Sequence, residues 1–196
     1  MTFSLIFDSE TTGVPTRGEV VTSPSYTHVV ELAGLLVDEA GRELSSFDFV
    51  VRPDGWAIPD VAAAVHGITQ EIALARGVPL ALAVAAYVNL RAVADELAGH
   101  NVSFDIGIVA AAIHRLGRTP THPGPSRVVC TADLGAPVAR LPPTEKMVAA
   151  GYGPYKRPTL SELHAFLFGE VFDGAHTALA DCRATARCLA ELRKRA

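Results

Sequence analysis

The sequence predicts a single α/β domain whose sheet opens with three antiparallel strands. Near the start of the chain, three short segments of β-branched and aliphatic residues are separated by turn residues, which is typical of a meander. From Pro59 onward the chain becomes rich in alanine, with Gly67, Gly77 and Pro79 placed as helix boundaries. A chain of 196 residues with 49% hydrophobic residues can bury one sizeable core. We therefore treat residues 1–196 as one domain.

The strands are predicted from runs of apolar and β-branched residues. The first run, Leu5–Phe7, is expected to end at Asp8, and it is followed by turn residues that include Gly13 and Pro15. The remaining predicted strands are His28–Val37, Phe47–Val51, Leu97–Asn101 and Val128–Thr131.

Helices are predicted where the apolar spacing and the boundary residues agree. One is expected from Phe104 to the stop at Gly117, and another begins with the capping-box pattern of Thr159 and Glu162. The last helix is expected to follow His176. The proline- and glycine-containing segment 141–158 is expected to be a loop.

Several classes of protein are excluded by composition. The longest apolar run, Val78–Val88, is too short for a bilayer, which needs roughly 20 residues, and the first residues lack the basic segment of a signal peptide. A net charge of −4 gives no global basic field. The three cysteines, Cys130, Cys182 and Cys188, lack CxxC spacing and are expected to be reduced thiols. Reduced thiols are typical of a cytoplasmic protein, and no membrane partner is expected.

Acidic residues gather at the ends of three predicted elements. Asp8 and Glu10 are two positions apart, so in extended backbone they project to the same face at the end of the first strand. The alternative is that both are ordinary turn acids. Asp105 falls in the first turn of a helix, where helix capping alone would also explain a carboxylate.

A histidine and a fourth acid stand near the end of the chain. Five positions separate His176 from Asp181, which on one helix would place them roughly 140° apart. His176 is therefore expected in the loop after Gly174, with Asp181 inside the helix among small residues. If all four acids converge, their mutual repulsion requires cations, and oxygen-only ligands favour two Mg²⁺ ions, with Mn²⁺ as a substitute.

These residues form three ordered motifs that resemble the DEDDh group of DnaQ-like 3′→5′ exonucleases. The motifs are Phe7-Asp8-Ser-Glu10-Thr11-Thr12-Gly13, His100-Asn101-x-x-Phe104-Asp105 and His176-x-x-x-x-Asp181. The resemblance spans residues 3–190 and implies an RNase H-like α/β fold, with a mixed sheet whose first three strands are antiparallel, flanked by helices.

The resemblance also implies residue roles. Asp8 would bridge both metal ions, Glu10 and Asp181 would complete the first site, and Asp105 would hold the second ion. His176 would be the general base that activates the attacking water.

Further residues are expected to contact substrate. They are the main-chain N–H groups of Thr11, Thr12 and Gly13, together with His100, Asn101, Phe104 and Lys156. Phe104 could stack on a base or could anchor its helix in the core, and Lys156 could grip a phosphate or lie on a solvated loop. His100 and Asn101 could likewise be satisfied polar groups at a strand end.

The resulting hypothesis is a metal-dependent 3′→5′ exonuclease that acts on single-stranded 3′ ends, with DNA favoured, and releases nucleoside 5′-monophosphates. The alternatives are trimming of RNA 3′ ends and a non-catalytic nucleic-acid-binding module of the same fold. The sequence identifies no protein partner. The four acids account for a charge similar to the net charge, and bound metal ions would offset them.

Overall fold

A computed structural model of the protein describes residues 2–119 and 127–195. Within these ranges, one mixed sheet has the strand order β3-β2-β1-β4-β5. The strands are β1 (Ser4–Thr11), β2 (Val29–Val37), β3 (Glu43–Val50), β4 (Glu96–Gly99) and β5 (Val128–Cys130). β1, β2 and β3 are antiparallel neighbours, whereas β4 runs parallel to β1 and β5 parallel to β4. The predicted mixed sheet with an antiparallel opening is therefore confirmed.

Helices cover both faces of the sheet. They are α1 (Asp60–His66), α2 (Gln70–Arg76), α3 (Leu80–Val93), α4 (Ser103–Arg115), α5 (Thr131–Ala139), α6 (Glu145–Ala149), α7 (Leu160–Phe168) and α8 (Ala178–Lys194). Because successive strand residues point to opposite faces, Leu5 and Phe7 of β1 pack in the core with α3 and α4, while Ile6 packs with α8. All nine residues of β2 are buried, as expected for a strand covered on both faces.

The strand boundaries differ from the prediction where polar residues occupy strand positions. β1 does not end at Asp8 but continues to Thr11, because the residues that follow remain paired with β2. β3 begins at Glu43 rather than Phe47. The prediction missed its first four residues because all four are exposed and Leu44 is the single apolar residue among them. β4 ends at Gly99, and Asn101 adopts a left-handed conformation with φ 63°.

The segment 141–158 was expected to be a loop, and this is wrong for its middle part. There α6 forms, and the Thr144 hydroxyl caps it by accepting a hydrogen bond from the Met147 N–H. The capping box that was predicted for α7 is confirmed. Thr159 accepts from the Glu162 N–H, while the Glu162 carboxylate accepts from the Thr159 N–H.

The three cysteines are free thiols, and Cys182 and Cys188 are buried. Burial raises the pKa of Cys188 to about 12, so its thiol remains protonated and unreactive. In the described part of the chain, no helix combines the length and the apolar character needed to cross a membrane.

Candidate active site

The end of β1 places two carboxylates on the side of the sheet covered by α8. Asp8 and Glu10 alternate with buried Ser9, so both acids share the face to which Ile6 points. Both side chains are only partly buried, which leaves them accessible from solvent. The strand extension to Thr11 therefore holds these acids on rigid, hydrogen-bonded backbone instead of in a turn.

The third acid comes from the first turn of α8. Asp181 lies one helical turn after Ala178, a fully buried residue at the start of the helix. As expected, His176 lies in the loop before α8, with a left-handed φ of 69°. Its N–H donates to Asp181 Oδ2 at 3.2 Å, so this carboxylate fixes the loop that carries the histidine.

Glu10, His176 and Asp181 form a compact ligand group. Each offers one ligand atom, and these atoms lie within 4.8 Å of one another. The other oxygen of Asp181, Oδ1, is buried and has no hydrogen-bond partner within the described residues. A buried, unpartnered carboxylate oxygen is unfavourable unless a cation meets it, so the donor set fits a divalent metal ion.

Asp105 reaches the same region from the opposite layer of the domain. It lies in the first turn of α4 and is 3% exposed. The Ser9 hydroxyl, which points away from Asp8 and Glu10, donates to Asp105 Oδ1 at 2.6 Å. This buried hydrogen bond ties α4 to β1 at the position where the acids meet.

The four carboxylates interact strongly in the absence of a cation. Burial, followed by repulsion from Asp105, Asp181 and Glu10, raises the pKa of Asp8 well above its usual value. Burial and the neighbouring acids raise the pKa of Glu10 to about 7. Burial likewise raises the pKa of Asp105 to about 7, although the Ser9 hydroxyl opposes that increase. Such a cluster either takes up protons or binds cations.

Glu31 is a fifth acid at this site that the sequence analysis missed. It is buried on β2 directly opposite Glu10. Its carboxylate accepts the Ala178 N–H at 2.8 Å and so fixes the start of α8, on which Asp181 lies. Burial raises its pKa to about 7. A single acid within an otherwise apolar strand, paired antiparallel with the strand that carries Asp8 and Glu10, was the available signal.

The turn after β1 uses part of its hydrogen-bonding capacity within the protein. The Thr12 N–H donates to the His28 carbonyl at 2.9 Å. The expectation that this N–H contacts substrate is therefore corrected. The Gly13 N–H has only a long contact, 3.4 Å, with the Thr11 hydroxyl, so it is the more available donor of the two.

Two of the other expected substrate residues hold the second motif in place. His100 pairs through Nδ1 with the Thr131 hydroxyl at 2.9 Å and through Nε2 with the Pro158 carbonyl at 3.0 Å. Both ring nitrogens are thus used within the protein. Asn101 Oδ1 accepts a hydrogen bond from Arg157 at 3.1 Å, which links the segment before α7 to the start of α4.

Phe104 and Lys156 are also engaged within the protein. Phe104 is partly buried and packs against the core that contains α3 and α4. Lys156 Nζ lies 2.6 Å from Glu162 Oε1. A phosphate would therefore compete with Glu162 for this ammonium group.

Comparison with known proteins identifies related sequences. The exonuclease family model RNase_T matches residues 5–189. A Mycobacterium tuberculosis protein, whose name describes a bifunctional exonuclease/endonuclease, is 30% identical over 187 residues. That match covers 88% of this chain but 28% of the relative, so the chain spans less than a third of the relative's length.

Solved structures with the same fold are exonucleases as well. Escherichia coli exonuclease I in complex with a dT13 oligonucleotide superposes with a TM-score of 0.75 at 22% identity, over 99% of this chain and 41% of that one. The moderately thermophilic exonuclease I of Methylocaldum szegediense gives a TM-score of 0.73 at 21% identity, over 100% and 41%. The chain spans about two fifths of these proteins, and the likeness confirms the RNase H-like fold.

Proposed function

The chain belongs to the exonuclease family, whose DnaQ-like 3′→5′ members its three motifs resemble, and from that membership we propose its reaction. It hydrolyses the terminal phosphodiester at the 3′ end of single-stranded nucleic acid, with DNA favoured, and releases nucleoside 5′-monophosphates. The convergence of acids from β1, α4 and α8, with a histidine beside them, supports this proposal most directly.

The acids would hold two divalent metal ions. Asp8, Glu10 and Asp181 would form the first site, and Asp105 would hold the second ion together with Asp8. When bound, such ions neutralise charge that develops on the phosphate and activate water. The unpartnered Asp181 Oδ1 and the raised pKa values of Glu10 and Asp105 support this assignment.

His176 is the proposed general base. It lies outside α8 on a loop that Asp181 fixes, so its ring can approach a water molecule at the edge of the carboxylate group. Imidazole exchanges protons readily near neutral pH. Its proximity to Glu10 and Asp181 also allows direct metal ligation, and one substitution separates the two roles.

A His176→Ala variant makes this distinction. As a base, His176 contributes a rate factor of about 10²–10⁴ to turnover, while metal affinity measured by calorimetry remains nearly unchanged. A large loss of metal affinity in this variant would assign His176 to the metal shell instead.

The reaction itself is tested with 3′-labelled dT13 in the presence of Mg²⁺ or Mn²⁺, with EDTA as the metal-free control. Label release should require metal and be lost in Asp8→Asn. The matched control is Asp95→Asn, an exposed acid just before β4, at the opposite end of the sheet, whose carboxylate accepts the Phe3 N–H.

The substrate class is tested with RNA of the same length and base composition. Faster release from RNA would replace the DNA preference with RNA end trimming. Binding of either oligonucleotide without any metal-dependent release would identify a non-catalytic module and overturn the proposed reaction.

A further inference from the structure

A cavity of about 540 Å³ lies outside the carboxylate group. It is bounded by residues from the start of β2, the end of β3, the start of α3 and the end of α4. The polar and aromatic residues that line it are His28, Arg52, Asp54, Trp56 and Arg115. None of the five acids described above lines this cavity.

The cavity contains a stacked aromatic pair. The rings of His28 and Trp56 have centroids 4.7 Å apart and planes inclined by 14°. Burial, together with the charge of Arg115, lowers the pKa of His28 to about 4, so the imidazole is neutral at physiological pH. A flat, uncharged aromatic pair is a surface on which nucleobases of any sequence can stack.

Two arginines of the cavity carry charge without an acidic partner. The Arg115 guanidinium donates to the carbonyls of Tyr26 and Thr27, and Arg52 Nε donates to the Gly77 carbonyl at 3.1 Å. Within residues 2–119 and 127–195, neither arginine has a carboxylate at ion-pair distance. The carbonyl contacts fix the side chains but leave their positive charge available for phosphate.

The cavity adjoins the proposed reaction site. The His28 carbonyl accepts a hydrogen bond from the Thr12 N–H. The His28–Trp56 pair therefore lies next to the turn that follows Glu10 and Thr11. Arg115 ends the helix whose first turn holds Asp105, and ten helical residues span about 15 Å. A strand bound at the carboxylates must therefore extend by more than its terminal nucleotide to reach Arg115.

We propose that this cavity binds nucleotides of the substrate strand upstream of its 3′ end, with bases against the His28–Trp56 pair and phosphate near Arg52 and Arg115. This inference rests on the proposed function, because it places the reacting 3′ end at the carboxylates. It assigns a second contact region, which sets affinity for long strands and leaves the chemical step unchanged.

Trp56 is the single tryptophan of the chain, so its fluorescence reports on the cavity directly. Titration with dT13 in EDTA, where no cleavage occurs, should quench Trp56 emission. Absence of any change would overturn the proposal. Equal quenching by thymidine 5′-monophosphate at the same concentrations would also overturn it, because the cavity would then be a mononucleotide site.

Steady-state kinetics provide the second test. Arg52→Gln and Trp56→Ala should each raise KM for dT13 by about tenfold, with kcat unchanged and with KM for a thymidine dinucleotide unchanged. Trp56→Phe, which keeps an aromatic ring, should restore most of the affinity and thereby exclude a folding defect. An equal change for both substrates, or none, would contradict the proposal.

The two hypotheses fail in different ways. If the wild-type protein releases no label from any substrate, the proposed reaction is wrong. The fluorescence titration in EDTA and the binding of labelled dT13 to Arg52→Gln still decide whether the cavity holds the strand.

Discussion

Replacing Asp105 by asparagine should stabilise the metal-free protein. Asp105 is 3% exposed, and burial followed by repulsion from Asp181 disfavours its ionised form. Asparagine has nearly the same shape and retains an oxygen that can accept the Ser9 hydroxyl. The substitution therefore removes the buried charge and preserves the packing and the Ser9 hydroxyl bond, while the amide NH2 loses part of the acceptance from the backbone N–H groups of Ser9 and Asp105.

The magnitude follows from the pKa of Asp105, which burial raises from 3.8 to about 7. At 1.36 kcal/mol per pKa unit, ionising this carboxyl in the folded state costs about 4 kcal/mol above pH 7. Side-chain relaxation recovers part of that energy, so we expect a gain of about 2 kcal/mol. For a domain of this size the gain corresponds to a Tm increase of about 4–8 °C.

The stabilising effect of Asp105→Asn should depend on pH. Because the folded-state pKa of Asp105 lies above the unfolded value, the contribution of this residue to the stability of the wild-type protein falls as the pH rises from about 4 to about 7. Asparagine does not titrate, so the Tm increase caused by Asp105→Asn should be small near pH 4.5 and reach its full value near pH 8. Thermal unfolding in EDTA, followed by circular dichroism, measures this increase.

Asp95→Asn is the control. Because Asp95 is exposed and lies at the other end of the sheet, its substitution should change the free energy of unfolding by no more than about 0.5 kcal/mol. No increase in Tm near pH 8, or the same increase at both pH values, would refute the electrostatic explanation.

Three further predictions concern metal binding, the contact of Glu31 with α8 and the cap of α7. Millimolar Mg²⁺ should raise the Tm of the wild-type protein more near pH 8 than near pH 5, because the ion competes with protons for the carboxylates; a pH-independent increase would contradict this. Glu31→Gln keeps an acceptor for the Ala178 N–H and should retain kcat within about tenfold, whereas Glu31→Ala, which leaves this N–H unpaired, should lower both kcat and Tm. Thr159→Ala removes the capping box of α7 and should cost about 1 kcal/mol in urea unfolding, while Thr159→Ser should retain most of it.

Local patterns in the sequence predicted the α/β fold and the residues expected at the candidate site. The alternation of strand residues placed Asp8 and Glu10 on one face, and helical geometry separated His176 from Asp181; both placements agree with the structure. These arguments concern neighbours along the chain, whose relative directions the backbone period fixes. The same reasoning missed the first residues of β3, since an exposed stretch with one apolar residue, Leu44, shows no alternating apolar pattern.

Contacts between elements that are distant along the chain could not be predicted from these local patterns. The bond from Ser9 to Asp105 joins residues 96 positions apart, and Glu31 reaches Ala178 across 147 positions. Sequence alone predicted which residues carry the chemistry, and the strand period fixed the common face of Asp8 and Glu10. Only the tertiary structure decided that Glu31 anchors α8, that His100 is used internally and that Trp56 faces His28, because those pairings depend on how helices pack on the sheet.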